Sequence, residues 1–248
     1  MITGAGRGFG RALALCLANQ SWDVIACVRS GAVSGAAAGS VSSAAIGALD
    51  VASAGDTGLV RNGSFDHPRI RTVIHDVRDP VDAGLFGDGP IDVLVNNAGI
   101  GAPAQPLDST DPQTILNAVD VNVAGPMRMV QSILPQLLTA PDPLIVNITS
   151  RLGSLSAQAE GRFADRRTSY AYRISKAAQN MLTIALAQEL AGRVRCWAVH
   201  PGALTTAMAS VDAHTSPEEA AARLAKLIER GGPPSPSYLS LDGPDLTW

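Results

Sequence analysis

The amino-acid sequence predicts an α/β protein built on a doubly wound parallel sheet. Short apolar, β-prone runs alternate with helical patterns, and apolar strands placed between helices belong to sheets covered on both faces. A glycine-rich turn, Thr3-Gly4-Ala5-Gly6-Arg7-Gly8-Phe9-Gly10, stands at the first strand–helix junction. Neither an internal repeat nor a linker interrupts the pattern, so residues 1–248 read as one domain.

Taken in order, Ile2 and Thr3 end a strand, and Arg11 to Asn19 is helical after the glycine turn. Val24 to Val28, Ile70 to His75 and Ile91 to Asn96 are strand-like runs. Asp111 to Leu138 is helical in pattern, with breaks or kinks expected at Pro126 and Pro135. Leu144 to Thr149 is a strand, Tyr170 to Leu190 an amphipathic helix, and Val194 to Val199 a strand. Pro217 to Arg230 is a helix with Ser216 as its N-cap and Gly231 as its stop. Ser237 to Leu241 closes the chain as a short strand. Gly31 to Gly63 is rich in Gly, Ala and Ser, which weakens any crossover helix there and reads as a flexible connection.

Composition narrows the function. A net charge of -3 gives no reason to expect a nucleic acid or an anionic membrane as partner. Three cysteines, Cys16, Cys27 and Cys196, match neither a disulfide framework nor a metal pattern, and the four histidines show no metal-ligand spacing. No apolar run approaches the roughly 20 residues that span a bilayer. A soluble, cytoplasmic protein is the expectation.

Glycines let a phosphate approach the backbone, and the helix that follows presents free N–H groups and the positive end of its dipole. The turn is therefore the expected place for a dinucleotide pyrophosphate. An acidic residue at the end of the second strand would bind a ribose 2′-hydroxyl, but that strand ends Ala26-Cys27-Val28-Arg29-Ser30. Arg29 and Arg7 suit a 2′-phosphate instead, which favours NADP(H) over NAD(H). Farther along, Tyr172 and Lys176 stand four apart on a helix and share a face. A nearby ammonium favours the phenolate and lowers the tyrosine pKa. Tyr170 is the rival, but only Tyr172 has a lysine at i+4.

With these residues in view, the chain resembles the short-chain dehydrogenase/reductase family over nearly its whole length, which implies a Rossmann fold. Thr3-Gly4-xxx-Gly8-x-Gly10 looks like the family's cofactor motif, and Asp76-Val77 like the pair beside the adenine. Asn96-Asn97-Ala98-Gly99 is similar to the motif after the fourth strand. Asn122, Ser150, Tyr172 and Lys176 match the active-site asparagine, the catalytic serine and the catalytic pair. Pro201, Gly202, Leu204 and Thr206 fall in the loop that holds the nicotinamide. A closer likeness, to carbonyl reductases of the sniffer and C-factor type, rests on Ala171 to Lys176, His200-Pro201-Gly202 and the tail Asp242 to Trp248.

The resemblance implies hydride transfer between nicotinamide and a carbonyl or secondary alcohol. Tyr172 would act as the acid or base and Ser150 would hydrogen-bond the substrate oxygen. Lys176 would bind the ribose and lower the tyrosine pKa, and Asn122 would hold a relay water. It implies a homodimer or homotetramer as well. A cofactor-binding regulator with little turnover is the competing function, and epimerisation or dehydration a third.

The chain departs from the family pattern twice. Only Met1 and Ile2 precede the glycine turn, so the first strand is truncated, neighbouring strands are expected to be left with unpaired backbone groups, and residues upstream are expected to raise stability and cofactor affinity. Ser150 and Tyr172 stand 22 positions apart (172 − 150), and the intervening Glu160, Arg162, Asp165, Arg166 and Arg167 form either a polar lid or a solvated loop.

Overall fold

The computed structural model describes residues 1–29, 65–82, 84–205 and 214–248. The Gly31 to Gly63 connection and Thr206 lie outside the described residues. The elements are α1 (Gly8–Asn19), β1 (Val24–Val28), β2 (Ile70–Ile74), β3 (Val93–Asn96), α2 (Gln113–Val119), α3 (Gly125–Thr139), β4 (Leu144–Ile148), α4 (Leu155–Ala159), α5 (Tyr170–Glu189), β5 (Arg195–His200), α6 (Pro217–Glu229) and β6 (Ser237–Ser240).

All strand pairs are parallel, β1 with β2 on one side and β3-β4-β5-β6 on the other. The first residues of the chain join the two groups. The Ile2 N–H donates to Ile25 at 2.9 Å and the Cys27 N–H to Ile2 at 2.8 Å, while on the other edge Thr3 donates to Val95 at 3.0 Å and Val95 to Met1 at 2.8 Å. The expectation of unpaired neighbours is therefore corrected. A short extended segment suffices because β3 is only four residues long. Strands run outward from this segment in both directions, which makes it the topological switch point of the sheet.

Successive strand residues face opposite sides. In β4, Leu144, Val146 and Ile148 pack with Leu13, Leu17, Leu224 and Ile228 of α1 and α6. Ile145 packs with Met129, Ile133, Leu137 and Leu186 of α3 and α5. This two-sided burial is why the strands read as continuous apolar runs.

Helix α6 has the expected Ser216 cap, completed by Glu219 into a reciprocal capping box. Helix α1 starts a turn earlier than predicted, because the glycine turn folds directly into it. The predicted break at Pro126 takes a different form. Helices α2 and α3 are joined by a π-helical turn, Asp120–Ala124, in which the Gly125 N–H reaches back to the Asp120 carbonyl. Pro126 has no N–H to offer the Asn122 carbonyl, so the ladder widens just before it, and Pro135 is carried inside α3. Helix α4 and the 3₁₀ turns Leu107–Ser109 and Arg151–Gly153 were not predicted; they are too short for periodicity to announce.

Candidate active site

The carboxyl ends of β3 and β4, the π turn and the first half of α5 converge on one point. Ser150 follows β4 in extended conformation and starts the 3₁₀ turn, accepting from the Leu152 N–H at 3.3 Å. That turn packs tightly on α5: a Cβ on Gly153 would lie 2.7 Å from the Lys176 carbonyl carbon, so only glycine allows the approach. Asn180 secures it by donating to the Gly153 carbonyl at 3.1 Å. Ser169 caps α5, its hydroxyl accepting from the Tyr172 N–H at 3.2 Å. These constraints bring Ser150 beside the Tyr172 phenol, close enough to act on its pKa. Tyr172 is half-buried as a whole residue, with its phenol end enclosed. Tyr170 lies on another face, under the Arg173 guanidinium at 5.4 Å.

Lys176 is buried, and its ammonium donates to the Ile148 carbonyl and to Gln179 Oε1, both at 2.8 Å. It lies 5.8 Å from the centre of the Tyr172 ring. Asn122 is fully buried within the π turn; its amide exchanges two hydrogen bonds with the Ile100 backbone and donates to Ser175 Oγ, each at 2.9 Å. Asn122 and Lys176 face each other across Gly99, where a Cβ would lie 3.3 Å from Asn122 Oδ1 and 3.6 Å from Lys176 Nζ. The four residues are thus gathered as expected.

Their electrostatics differ from expectation. Burial pushes the Tyr172 pKa up, opposed more weakly by the neighbouring Ser150, while burial brings Lys176 down to about 7. The i, i+4 spacing puts both side chains on one face, but the ammonium is turned toward β4 and Gln179. It is not what governs the phenol here.

The glycine turn is held from β3. Thr3 Oγ1 accepts from the Asn97 and Ala98 N–H groups at 3.0 Å, and Asn97 Nδ2 donates to the Thr3 and Gly4 carbonyls at 2.9 and 3.1 Å. Thr3 and Asn97 therefore shape the turn. Gly6, Arg7 and Gly8 line its outer side, and Phe9 sends its ring into the core. Helix α1 has no side-chain cap and no acidic residue in its first turn, so its leading N–H groups suit an anion. Asp76 pairs with Arg78 at 2.8 Å, and that bond holds its carboxyl down at about 2, with Arg29 adding a smaller pull. Val77 is buried against Gly125, so its side chain belongs to the core. After β5, the Ala203 N–H donates to Asp242 at 3.1 Å, and Leu204 pairs with Thr215 beyond Pro201 and Gly202.

A cavity of about 370 Å³ lies between Ala102–Thr114 and the start of α5, bounded by Ser169 and Ala171 beside Tyr172. The connection before α5 folds as successive turns, its charges mostly exposed and Glu160 paired with Arg162.

Sequence reasoning missed a buried polar layer beneath the site. Ser175, Gln179, Asn180 and Thr183 lie on the inward face of α5 beside Lys176. Asn96 donates to Asn147, and Asn147 to Thr183, both at 2.9 Å. The signal was present as polar residues at helical spacing on a face bound for the core. Tyr238 and Trp248 were also missed. Tyr238 donates to the Ser150 carbonyl, and Trp248 stacks on Tyr238 at 5.0 Å.

The family described as short chain dehydrogenase matches residues 1–216. The chain belongs to the short-chain dehydrogenase family. It is 31% identical over 163 residues to the C-signal of Myxococcus xanthus, covering 64% of this chain and 94% of that protein. The fold is shared with the carbonyl reductase Sniffer of D. melanogaster, at a TM-score of 0.73 and 23% identity over 100% of this chain and 98% of that one. It is shared too with an NADPH-bound carbonyl reductase from chicken fatty liver, at 0.76 and 24% with the same coverage. Among the described residues no helix is long and apolar enough to cross a membrane, and no cluster of acidic, histidine and cysteine side chains could hold a metal.

Proposed function

We propose that this chain is an NADP(H)-dependent oxidoreductase that interconverts a carbonyl and a secondary alcohol, with Tyr172 as general acid and base. The observation that carries the reading is the gathering of Ser150, Tyr172, Lys176 and Asn122 at one point, with Lys176 5.8 Å from the Tyr172 ring and Asn122 facing it across Gly99. The bound dinucleotide supplies or takes the hydride. The uncapped start of α1 and residues Thr3 to Gly10 would hold its pyrophosphate. Asp76, Val77 and Asn97 to Gly99 would line the adenine and ribose side, and Pro201, Gly202, Leu204 and Thr206 the nicotinamide side. Arg29 and Arg7 would meet a 2′-phosphate, and Arg78 adds a third guanidinium in the neighbourhood of Asp76.

In reduction, Ser150 orients the substrate oxygen and Tyr172 gives it a proton. Burial keeps the phenol protonated but makes it a weaker acid, so its proton transfer would depend on the Ser150 contact and on positive charge brought close to it. The reverse reaction needs phenolate, and Lys176 turned toward the phenol would favour it. Asn122 ties the π turn to Ile100 and Ser175 beside Gly99, where a relay water would sit. The cavity beside Tyr172 would take the body of the substrate. Met127, Ile174 and Met181 expose apolar surface on α3 and α5, which supports pairing with a second copy.

NADPH oxidation across a panel of aldehydes and ketones tests the reading. Tyr172→Phe is expected to lower kcat/KM about 10²-fold or more while NADPH still binds. Unchanged turnover in the variant would defeat the proposed role. A second reading, a cofactor-binding signalling protein, is favoured by the similarity to C-signal. NADPH binding with no turnover on any substrate would select it.

A further inference from the structure

The buried layer under Lys176 contains a residue that packing alone does not explain. Gln179 is fully buried one helical turn after Lys176. An apolar side chain of similar volume would fill that space without the cost of burying an amide. Gln179 Oε1 accepts from the Lys176 ammonium at 2.8 Å, and no protein atom pairs with Gln179 Nε2. The second ammonium hydrogen goes to the Ile148 carbonyl. An ammonium has three hydrogens in tetrahedral array, so two fixed acceptors determine where the third points. Thr183 Oγ1 donates to the backbone carbonyl of Gln179 at 2.9 Å, one turn back along the helix, and so leaves the side-chain oxygen to Lys176.

We infer that Gln179 is the positioning residue of the site: its amide oxygen holds Lys176 in place and in its charged form, leaving the third N–H free for the groove at Gly99. The inference rests on the proposed role of Lys176 for its catalytic meaning, but not for its geometry. Among the described residues no carboxylate faces the ammonium. Helix α5 contributes Gln179 and the Tyr172 phenol, β4 a carbonyl, the segment after β3 the Gly99 backbone, and the π turn the Asn122 amide. Tyr172 is the one titratable group among them. The positive charge therefore depends on neutral acceptors, and burial has already weakened it. Taking away one of two acceptors must destabilise the ammonium further.

The sequence offers an unusually direct test, because Lys176 and Lys226 are its only lysines. Protein labelled with ¹³C-lysine gives two ε-methylene signals. Lys226 is exposed, and Lys226→Arg identifies it. Titration of the cofactor-free protein from pH 5 to 11 then reads Lys176 directly. In Gln179→Leu the Lys176 midpoint is expected to fall by one unit or more, a tenfold change in its ionisation constant. Gln179→Glu keeps the acceptor, adds a charge and is expected to bring the midpoint back to the wild-type value or above. A Gln179→Leu protein that stays folded and titrates like wild type would overturn the inference, as would a Gln179→Glu that fails to move the midpoint upward relative to Gln179→Leu. Neither measurement involves NADPH or turnover, so failure of the enzymatic reading is seen separately, in the NADPH assays.

Discussion

Asn97 shows how a side chain can serve a site from behind. Its amide bridges the carbonyls of Thr3 and Gly4 and so holds the glycine turn against β3. A Cβ on Gly10 would come within van der Waals overlap of this amide and of the Gly4 carbonyl. Gly10→Ala is therefore expected to lower the melting temperature by several degrees and to weaken NADPH binding at least tenfold, measured by calorimetry and by fluorescence titration. A variant that melts and binds like wild type would show that the turn can shift at little cost. At this scale the proposed reactive residues were legible, Tyr172 and Lys176 from their spacing on a helix, Asn122 and Ser150 from the family resemblance alone. The influence of Lys176 on Tyr172 was not legible. Spacing along a helix places a lysine's Cα, whereas its charge sits at the end of four bonds and follows the acceptors it finds, here Ile148 and Gln179.

Among the elements, the C-terminal segment does more than close the chain. The Leu246 N–H donates to Tyr238 at 2.9 Å, Ser154 Oγ donates to the Thr247 carbonyl at 2.6 Å, and the Ser156 N–H donates to Trp248 at 3.1 Å. The tail thereby straps β6 to the start of α4, and Tyr238 reaches the Ser150 carbonyl from beneath it. Tyr238→Phe removes one of the two donors to that carbonyl and leaves the Gly153 N–H at 2.8 Å, a loss of about 1 kcal/mol in stability. Trp248→Ala is expected to lower kcat with little change in KM for cofactor, because the strap supports Ser150 and lies away from the glycine turn. Steady-state kinetics separate the two; a rise in KM for NADPH alone would contradict it. The tail stood out in the sequence as a resemblance, but its partners on α4 lie some 90 residues away, beyond the reach of local pattern. The π turn was hidden for a related reason. Pro126 announces a disturbance, and only the ladder of hydrogen bonds tells whether it becomes a kink or a widened turn.

Over the whole molecule, alternation of strand and helix was enough to read a parallel sheet, because burial on both faces leaves apolar runs that composition reveals. Strand order and register were not readable, since any of these strands offers the same backbone to its neighbour. The core carries its own pH signature. Burial raises the thiols of Cys27 and Cys196 and the phenol of Tyr238 to about 12. Each of these groups keeps its proton longer in the folded chain than in the unfolded one. Their stabilising contribution is full below the unfolded values, near pH 9 for the thiols, and is lost as pH rises toward 12. The melting temperature is expected to fall between pH 8.5 and 10.5, and less steeply in Cys27→Val. Parallel curves for the two proteins would show that the Cys27 thiol plays no part.

The chain of hydrogen bonds Asn96–Asn147–Thr183 has a mechanical meaning as well. Apolar surfaces let a helix slide along a sheet by small steps at little cost, but amides and hydroxyls meet only at discrete settings. Helix α5 is pinned to β3 and β4 from within, while Ile174 and Met181 look outward from its far side. A push on that outer face, from a second copy or any other neighbour, would be borne by the pins and passed on as movement of helix and strands together. The distance between Tyr172 and Ser150 would scarcely register it.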